Sequence, residues 1–270
     1  MQYREYAPTP RLTSIVDCVW TLEGSAAELD DPVQPILPDG RPELVVHFGD
    51  AFEWLHPTGV AERQPPVIFA GQLTNALMLR PTGRIAVLGI RFQPDGAATL
   101  STSPQSDFTG VTVDADHVSR DLARSLYELR EAAPSLAEAA RRVQDVIVAR
   151  SDASRVDPRV RYAVQAIRRG SGIVSVDRLA SSAGMTRRHL ERRFRAFVGV
   201  SPKRLARITR FQRALHVLAR ADVPQRGAYT AAECGYADQA HFVRECHELC
   251  GHPPMAYLRE RTELTGFFLD

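Results

Sequence analysis

Gly184 to Pro202 reads GMTRRHLERRFRAFVGVSP, and Gly235 to Pro254 reads GYADQAHFVRECHELCGHPP. A step of 52 residues lays His189 on His241, Leu190 on Phe242, Arg192 on Arg244 and Gly199 on Gly251. The same step takes Ser201-Pro202 to Pro253-Pro254. Each copy follows a short apolar stretch that stops at a glycine, Gly184 or Gly235, where positive φ lets one helix turn sharply into the next. Thr186 stands where an N-cap is needed, with Leu190, Phe194 and Phe197 on the buried face behind it. Ser201-Pro202 is a helix start, a cap followed by proline at the first helical position. Leu205, Ile208, Phe211, Leu215 and Leu218 then recur at helical spacing, while Lys203, Arg207 and Arg210 fall on another face. Short helix, glycine turn, longer helix is the helix-turn-helix outline. Two such outlines at fixed spacing, joined by one long amphipathic helix, predict a tandem unit.

Working outward, Val160, Val164 and Ile167 predict a further helix that stops at Gly170–Gly172, so everything after Pro158 reads helical. The charge follows the same division. The 270 residues carry 34 basic and 32 acidic side chains, a net of +2. Residues 1–157 hold 14 basic and 22 acidic, a net of −8, and residues 158–270 hold 20 and 10, a net of +10. Between Arg187 and Arg213 stand ten basic residues and one acid, Glu191. A basic half beside an acidic one points to a polyanionic partner for the basic half. Ordinary apolar and charged content excludes a disordered or collagen-like chain, and no run approaches 18 apolar residues. The N-terminus lacks a signal-peptide pattern and the four cysteines are scattered, so a cytoplasmic chain with reduced thiols is expected.

Residues 1–118 read as short strands separated by turn chemistry. Glu43–Phe48 follows Pro38-Asp39-Gly40, Pro66–Gly71 is a second run, and Ile85–Phe92 lies between Pro81-Thr82-Gly83 and Pro94-Asp95-Gly96. This punctuation predicts an antiparallel β-barrel or sandwich. From Ser119 the period becomes helical: Leu122, Leu126 and Leu129, then Leu136, Ala139, Ala140, Val143 and Ile147, broken at Pro134-Ser135. The expected organisation is α+β with two domains: a β-rich domain over 1–118, a helical hairpin over 119–152, and an all-α module over 157–262. The hairpin serves equally well, on sequence, as a cover for the β domain or as a dimerisation surface.

The basic half resembles the AraC/XylS family of bacterial transcription regulators over about residues 158–260. The resemblance is carried by Asp177-Arg178-Leu179-Ala180, Gly184-Met185-Thr186, His189–Phe194 and Gly199–Pro202, then by Gly235–Arg244, Gly251–Pro254 and Tyr257. It implies seven helices, two helix-turn-helix units and a rigid connecting helix, with each unit's second helix in the major groove of promoter DNA. Ile36–Gly40 and Gly89–Phe92 are similar to a cupin-like sensor domain found ahead of some such regulators. The resemblance implies base contacts from Arg188, Glu191 and Arg192 in the first unit, and from Asp238, Gln239, His241 and Arg244 in the second. Arginine can reach guanine O6 and N7 bidentately, and glutamine suits adenine. Thr186 reads as both cap and phosphate donor. Arg187, Arg193, Arg195, Lys203 and Arg207 read as phosphate clamps, which set affinity and its salt dependence. The plainer alternative for all of these is a solvated face that touches phosphates alone. Gly227, Thr230 and Cys246 depart from the family's apolar, apolar and Phe, which predicts a second unit softer than the first or ordered only on DNA.

The expected function is sequence-specific DNA binding by a transcription regulator under the control of a small-molecule effector, of unidentified class, at the β domain. Further partners are a second copy of the chain and, for an activator, RNA polymerase; no membrane and no cofactor are expected. A second reading is a cupin-like metal-dependent enzyme fused to a DNA-binding module. Glu43, His47, His56 and His117 are available as ligands, yet no tight His-x-His pair exists, and His47 suits a satisfied wall position. Cys246, His247 and Cys250 lie one helical turn apart with Cys234 nearby, but Cys246 falls in the apolar stripe, where buried thiols are the default. No phosphate-binding glycine loop or nucleophile elbow is present. The opposite charges of the two halves add one more expectation, that the acidic half competes with DNA for the basic face.

Overall fold

The computed structural model describes all residues except 57, 221–225, 255 and 257–270. Tyr257 and the end of the module at 262 lie outside the described residues.

Among the described residues ten antiparallel strands build the first half: β1 (Gln2–Tyr6), β2 (Val16–Ser25), β3 (Gln34–Ile36), β4 (Glu43–His47), β5 (Glu53–Leu55), β6 (Ala61–Arg63), β7 (Val67–Ala70), β8 (Leu77–Arg80), β9 (Arg84–Phe92) and β10 (Thr112–Asp114). They form a six-stranded sheet in the order β1-β2-β9-β4-β7-β10 and a four-stranded sheet in the order β3-β8-β5-β6. The antiparallel β domain stands as expected, but its sheets do not close into a barrel: β1 and β10 end one sheet, β3 and β6 the other.

Sheet burial explains the apolar run of β9. Side chains alternate between faces along a strand. Ile85 and Val87 point into a layer shared with Trp20, Leu22, Phe52 and Leu79, between the sheets. Leu88 and Ile90 point the other way, into a layer with Leu44, Val46 and the two helices α1 (Arg120–Ala132) and α2 (Leu136–Arg150). A strand buried on both faces has no polar side to show. The helices are capped by Ser119 and Ser135, whose side chains accept from Leu122 N and Glu138 N. Leu122, Leu126, Ala139, Val143 and Ile147 are all buried in that layer, so the hairpin's apolar stripes lie on the sheet.

Among the described residues the second half has six helices: α3 (Pro158–Arg169), α4 (Val176–Ser182), α5 (Arg187–Val198), α6 (Pro202–Arg220), α7 (Arg226–Glu233) and α8 (Gln239–Cys250). Asp157 caps α3 with proline at its first position, Thr186 caps α5 and Asp238 caps α8. Gly184, Gly199, Gly235 and Gly251 all take positive φ, so the repeated turns and stops of the sequence are repeated in the backbone. The 19-residue α6 serves two cores. Leu205 and Ala206 pack with Leu179, Leu190 and Phe194 of the first unit. Ile208, Phe211, Leu215 and Leu218 pack with Phe242, Cys246 and Leu249 of the second.

At the family departures, Cys246 is fully buried in that second core and Thr230 is buried in α7. A Cβ at Gly227 would lie 2.9 Å from Gln239 Nε2, the far end of an exposed side chain that can swing aside.

Candidate nucleic-acid interface and sensor cavity

The turn geometry brings α5 to the surface with its apolar side inward. Leu190, Phe194 and Val198 are buried, which leaves Arg188, Arg192 and Arg195 exposed along one stripe at spacings of four and three. Lys203 is exposed in the first turn of α6. Among the described residues none of these four cations has a salt bridge or side-chain hydrogen bond. Thr186 Oγ1 accepts from His189 N at 3.2 Å, so its hydroxyl is used as a cap. Arg187 is exposed but paired, 3.1 Å from Glu191 and 3.4 Å from Asp177. Arg193 points the other way, 2.6 Å from Asp157 and over the Phe197 ring at 4.6 Å.

In the second unit, Gln239 and Arg244 are exposed on α8 and His241 is half-buried, its ring against Tyr236 at 5.3 Å. Asp238 Oδ1 accepts from His241 N at 2.6 Å, which fixes it as the helix cap. Arg207 lies inside the module: its guanidinium meets Glu245 at 2.7 Å and Glu248 at 2.5 Å. Arg210 joins Glu245 at 2.9 Å and lies over the Tyr236 ring at 4.4 Å. Hydrogen bonds from Arg207 and Arg204 hold the Glu248 carboxyl down to about 2. This network fastens α8 to the connecting helix.

The β domain meets the helical module through acids as the charge division suggests, but away from the α5 stripe. Asp95 pairs with Arg161 at 2.8 Å and Asp17 with Arg168 at 3.4 Å, both on α3. Thr109 Oγ1 donates to Gly199 O at 2.7 Å, at the end of α5. The competition expected between the acidic half and DNA therefore has no ion pair or hydrogen bond at Arg188, Arg192 or Arg195 among the described residues.

Between the two sheets lies a cavity of about 80 Å3. Trp20, Leu22, Phe52 and Val87 give it apolar walls, and Asp39, Arg41, Glu43 and Arg91 form one end. Register places Glu43 opposite Arg91, and the two meet at 2.7 Å. Trp20 Nε1 donates to the same carboxylate at 3.3 Å. Burial raises the Glu43 carboxyl above its ordinary range, against the opposing pull of Arg91. The indole needs Gly89 beneath it, since a Cβ there would come within 2.0 Å of the ring. Sequence reasoning missed this site, although Arg91, inside the otherwise apolar run Ile85–Phe92, was a signal that a buried carboxylate must face it.

The four candidate metal ligands do not converge. Glu43 faces Arg91, His47 faces Gln64 at 3.1 Å, His56 faces Glu62 at 3.0 Å, and His117 lies at the surface beside Asp116. Among the described residues no group of three His, Cys, Asp or Glu could hold a metal ion. Cys18, Cys234, Cys246 and Cys250 are free and buried.

Burial lowers the His47 pKa from 6.5 to about 4, with the Gln64 hydrogen bond opposing and Arg130 assisting. The unfolded chain thus takes up this proton at a higher pH than the folded one. The resulting stability is complete above about 6.5 and is lost as pH falls through 4. Urea midpoints measured from pH 7 to 4.5 should fall less steeply in His47→Gln than in the parent. Equal slopes would assign the acid sensitivity to other groups.

These features define a class by architecture, two helix-turn-helix units behind a β domain. Residues 179–260 match the family described as a helix-turn-helix domain, and this domain is of the AraC type. Residues 4–114 match a domain of unknown function, DUF6597. The chain thus carries an AraC-type helix-turn-helix domain over residues 179–260 and a DUF6597 domain over residues 4–114. No curated protein matches it. Among solved structures it is similar to a probable AraC family transcriptional regulator from Rhodopseudomonas palustris, at 24% identity over 38% of this chain and 97% of that one, TM-score 0.35. It is also similar to ToxT from Vibrio cholerae bound to (E)-4-(8-methylnaphthalen-1-yl)but-3-enoic acid, at 10% identity over 96% and 99% of the two chains, TM-score 0.48. Unsaturated fatty acid bound ToxT aligns at 10% identity over 90% and 94%, TM-score 0.45. Among the described residues no helix is long and apolar enough to cross a membrane.

Proposed function

We propose that this chain is a one-component transcription regulator that reads promoter DNA with α5 and α8 and holds a small-molecule effector in the cavity between its β sheets. The stripe of Arg188, Arg192 and Arg195, exposed and without partners among the described residues, carries the DNA half of this reading. Unpaired guanidiniums along one helix face are available for guanine edges and phosphates; paired ones are not. Arg188, Arg192, Gln239 and Arg244 are assigned to bases, Arg195 and Lys203 to phosphates, and Asp238 to capping. Arg193 and Arg207 orient the reading helices from behind. The hairpin closes the β domain's own core, and the protein works in the cytoplasm on the nucleoid, without catalysis.

Selection of bound sequences from random DNA by the full-length protein tests the reading. It should return a defined site. On that site Arg192→Ala should lose about 1–3 kcal/mol and accept more sequences. An equal loss on selected and random DNA would reassign Arg192 to phosphate, and failure to enrich any sequence would refute specific recognition.

A further inference from the structure

The cavity between the sheets is walled by strands of both sheets and by connections. Trp20, Leu22 and Val87 stand on β2 and β9, which are paired on both sides within the six-stranded sheet. Leu37 and Leu73 stand on connections, after β3 and after β7. Those two connections are also what the β domain lays on α6 and α8. Leu37 is buried in the second unit's core with Ile208 and Phe211. Pro38 O accepts from Gln212 Nε2 at 2.6 Å. Gly40, at φ +80, lies so close to α6 that a Cβ would come 2.8 Å from Leu205 Cδ1. On the other connection, Thr74 O accepts from Arg204, and Asn75 Nδ2 donates to Glu248 O at 2.7 Å. The first unit is held instead by Thr109 on Gly199 and by Asp95 and Asp17 on α3, and none of these three residues lines the cavity.

Size and charge say what would enter and what would move. An apolar cavity of about 150 Å3 admits benzene, so one of about 80 Å3 must widen before it holds a molecule with a ring. Strands laddered on both sides resist that widening; connections yield. At the polar end Asp39 and Glu43 are matched by Arg41 and Arg91 through contacts of 2.7 to 3.8 Å. Asp17 and Glu5 also reach Arg41 and Arg91, at 3.3 and 3.8 Å, so four acids face two arginines and a ligand carboxylate would add to an acidic excess at a half-buried end.

We propose that this cavity takes an uncharged, largely apolar molecule with one hydrogen-bonding group, and that seating it pushes Leu37 and Leu73 outward and loosens α8 rather than α5. This rests on reading the β domain as the effector-binding part. The ligand's polar group would meet Asp39 or Glu43, and its apolar body would lie on Trp20. Binding in the sensor would thus reach the second helix-turn-helix unit first.

The full chain, in a Trp54→Phe background so that Trp20 alone reports, is titrated with 4-ethylphenol and with 4-ethylbenzoate. The phenol should shift Trp20 emission at a concentration about ten-fold below that needed for the carboxylate. Amide exchange over 239–250 should become about three-fold faster with the phenol bound, while 187–198 keeps its rate. In Asn75→Ala/Gln212→Ala the Trp20 shift should persist and the response at α8 should vanish. Equal or tighter binding of the carboxylate would overturn the ligand class, and silence of Trp20 to both probes would overturn the site. Exchange changes confined to the β domain, shared equally by α5, or retained in the double variant would overturn the route. None of these readouts uses DNA, so a chain that responds here and yet enriches no DNA sequence would refute the DNA reading alone.

Discussion

Glu245→Ala should lower the stability of the helical module by about 3 kcal/mol or more and abolish specific DNA binding. The Glu245 carboxylate is 2% exposed and lies between Arg207 and Arg210, on a helix that α6 must hold in place. Removing one member of a buried ionic group costs about 3–5 kcal/mol, because the partners remain desolvated and uncompensated. Here the lower end applies, since Arg207 keeps Glu248 as a second partner while Arg210 keeps the Tyr236 ring. Even so, this is a large share of the roughly 5–15 kcal/mol that holds an ordinary domain together. Urea unfolding of the parent and the variant measures it. Glu248→Ala is the matched control: that side chain is 47% exposed, and exposed pairs contribute about 0–1 kcal/mol. A Glu245→Ala loss no larger than that of Glu248→Ala would show that the buried network does not hold α8.

Gly172→Ala should be nearly as damaging, at about 3 kcal/mol, by an unrelated route. Gly172 adopts φ +76 in the turn after α3, where an L side chain costs about 1–2 kcal/mol. Its Cβ would also lie 2.1 Å from Ala206 O and 2.7 Å from Arg210 N, both backbone atoms of α6. Neither can rotate away, so the turn must lift from the connecting helix. Gly184→Ala separates the two contributions. Gly184 has φ +65 with open space around its Cβ position, so it carries the conformational cost without the collision. Thermal unfolding of the two variants should differ clearly, and indistinguishable midpoints would mean that α6 accommodates the methyl group.

The local signals in the sequence proved readable because they act over a few residues. Thr186, Asp157 and Ser201-Pro202 start helices where their chemistry says they should, and Gly199 and Gly251 stop them at matching places. The two apolar stripes of 122–129 and 136–147 likewise mark α1 and α2. What could not be read was partnership across distance. The charge on Arg207 is visible in the sequence, but its engagement by Glu245 depends on how α8 crosses α6. Glu43 and Arg91 look unrelated until the register of β4 against β9 sets them side by side. The capping role of Asp238 was legible as well, since an aspartate three residues before His241 is an ordinary cap. Open sheets rather than a closed barrel depend on where β1, β3, β6 and β10 end, and the runs that mark the inner strands are silent on that.

The double duty of α6 has a consequence for the DNA itself. Because a single continuous helix supplies a wall of each core, α5 and α8 cannot be rotated about one another without breaking one of those cores. With α5 and α8 as the reading helices, such a protein faces one side of the duplex with its two probes at an invariant separation. The binding site is then a pair of short words with a fixed gap, and each turn of B-DNA is about 10–10.5 base pairs. Adding half a turn of bases between the words would carry the second one to the far side of the helix, where neither domain has anything to reach it. Spelling and spacing become equally strict parts of the same site.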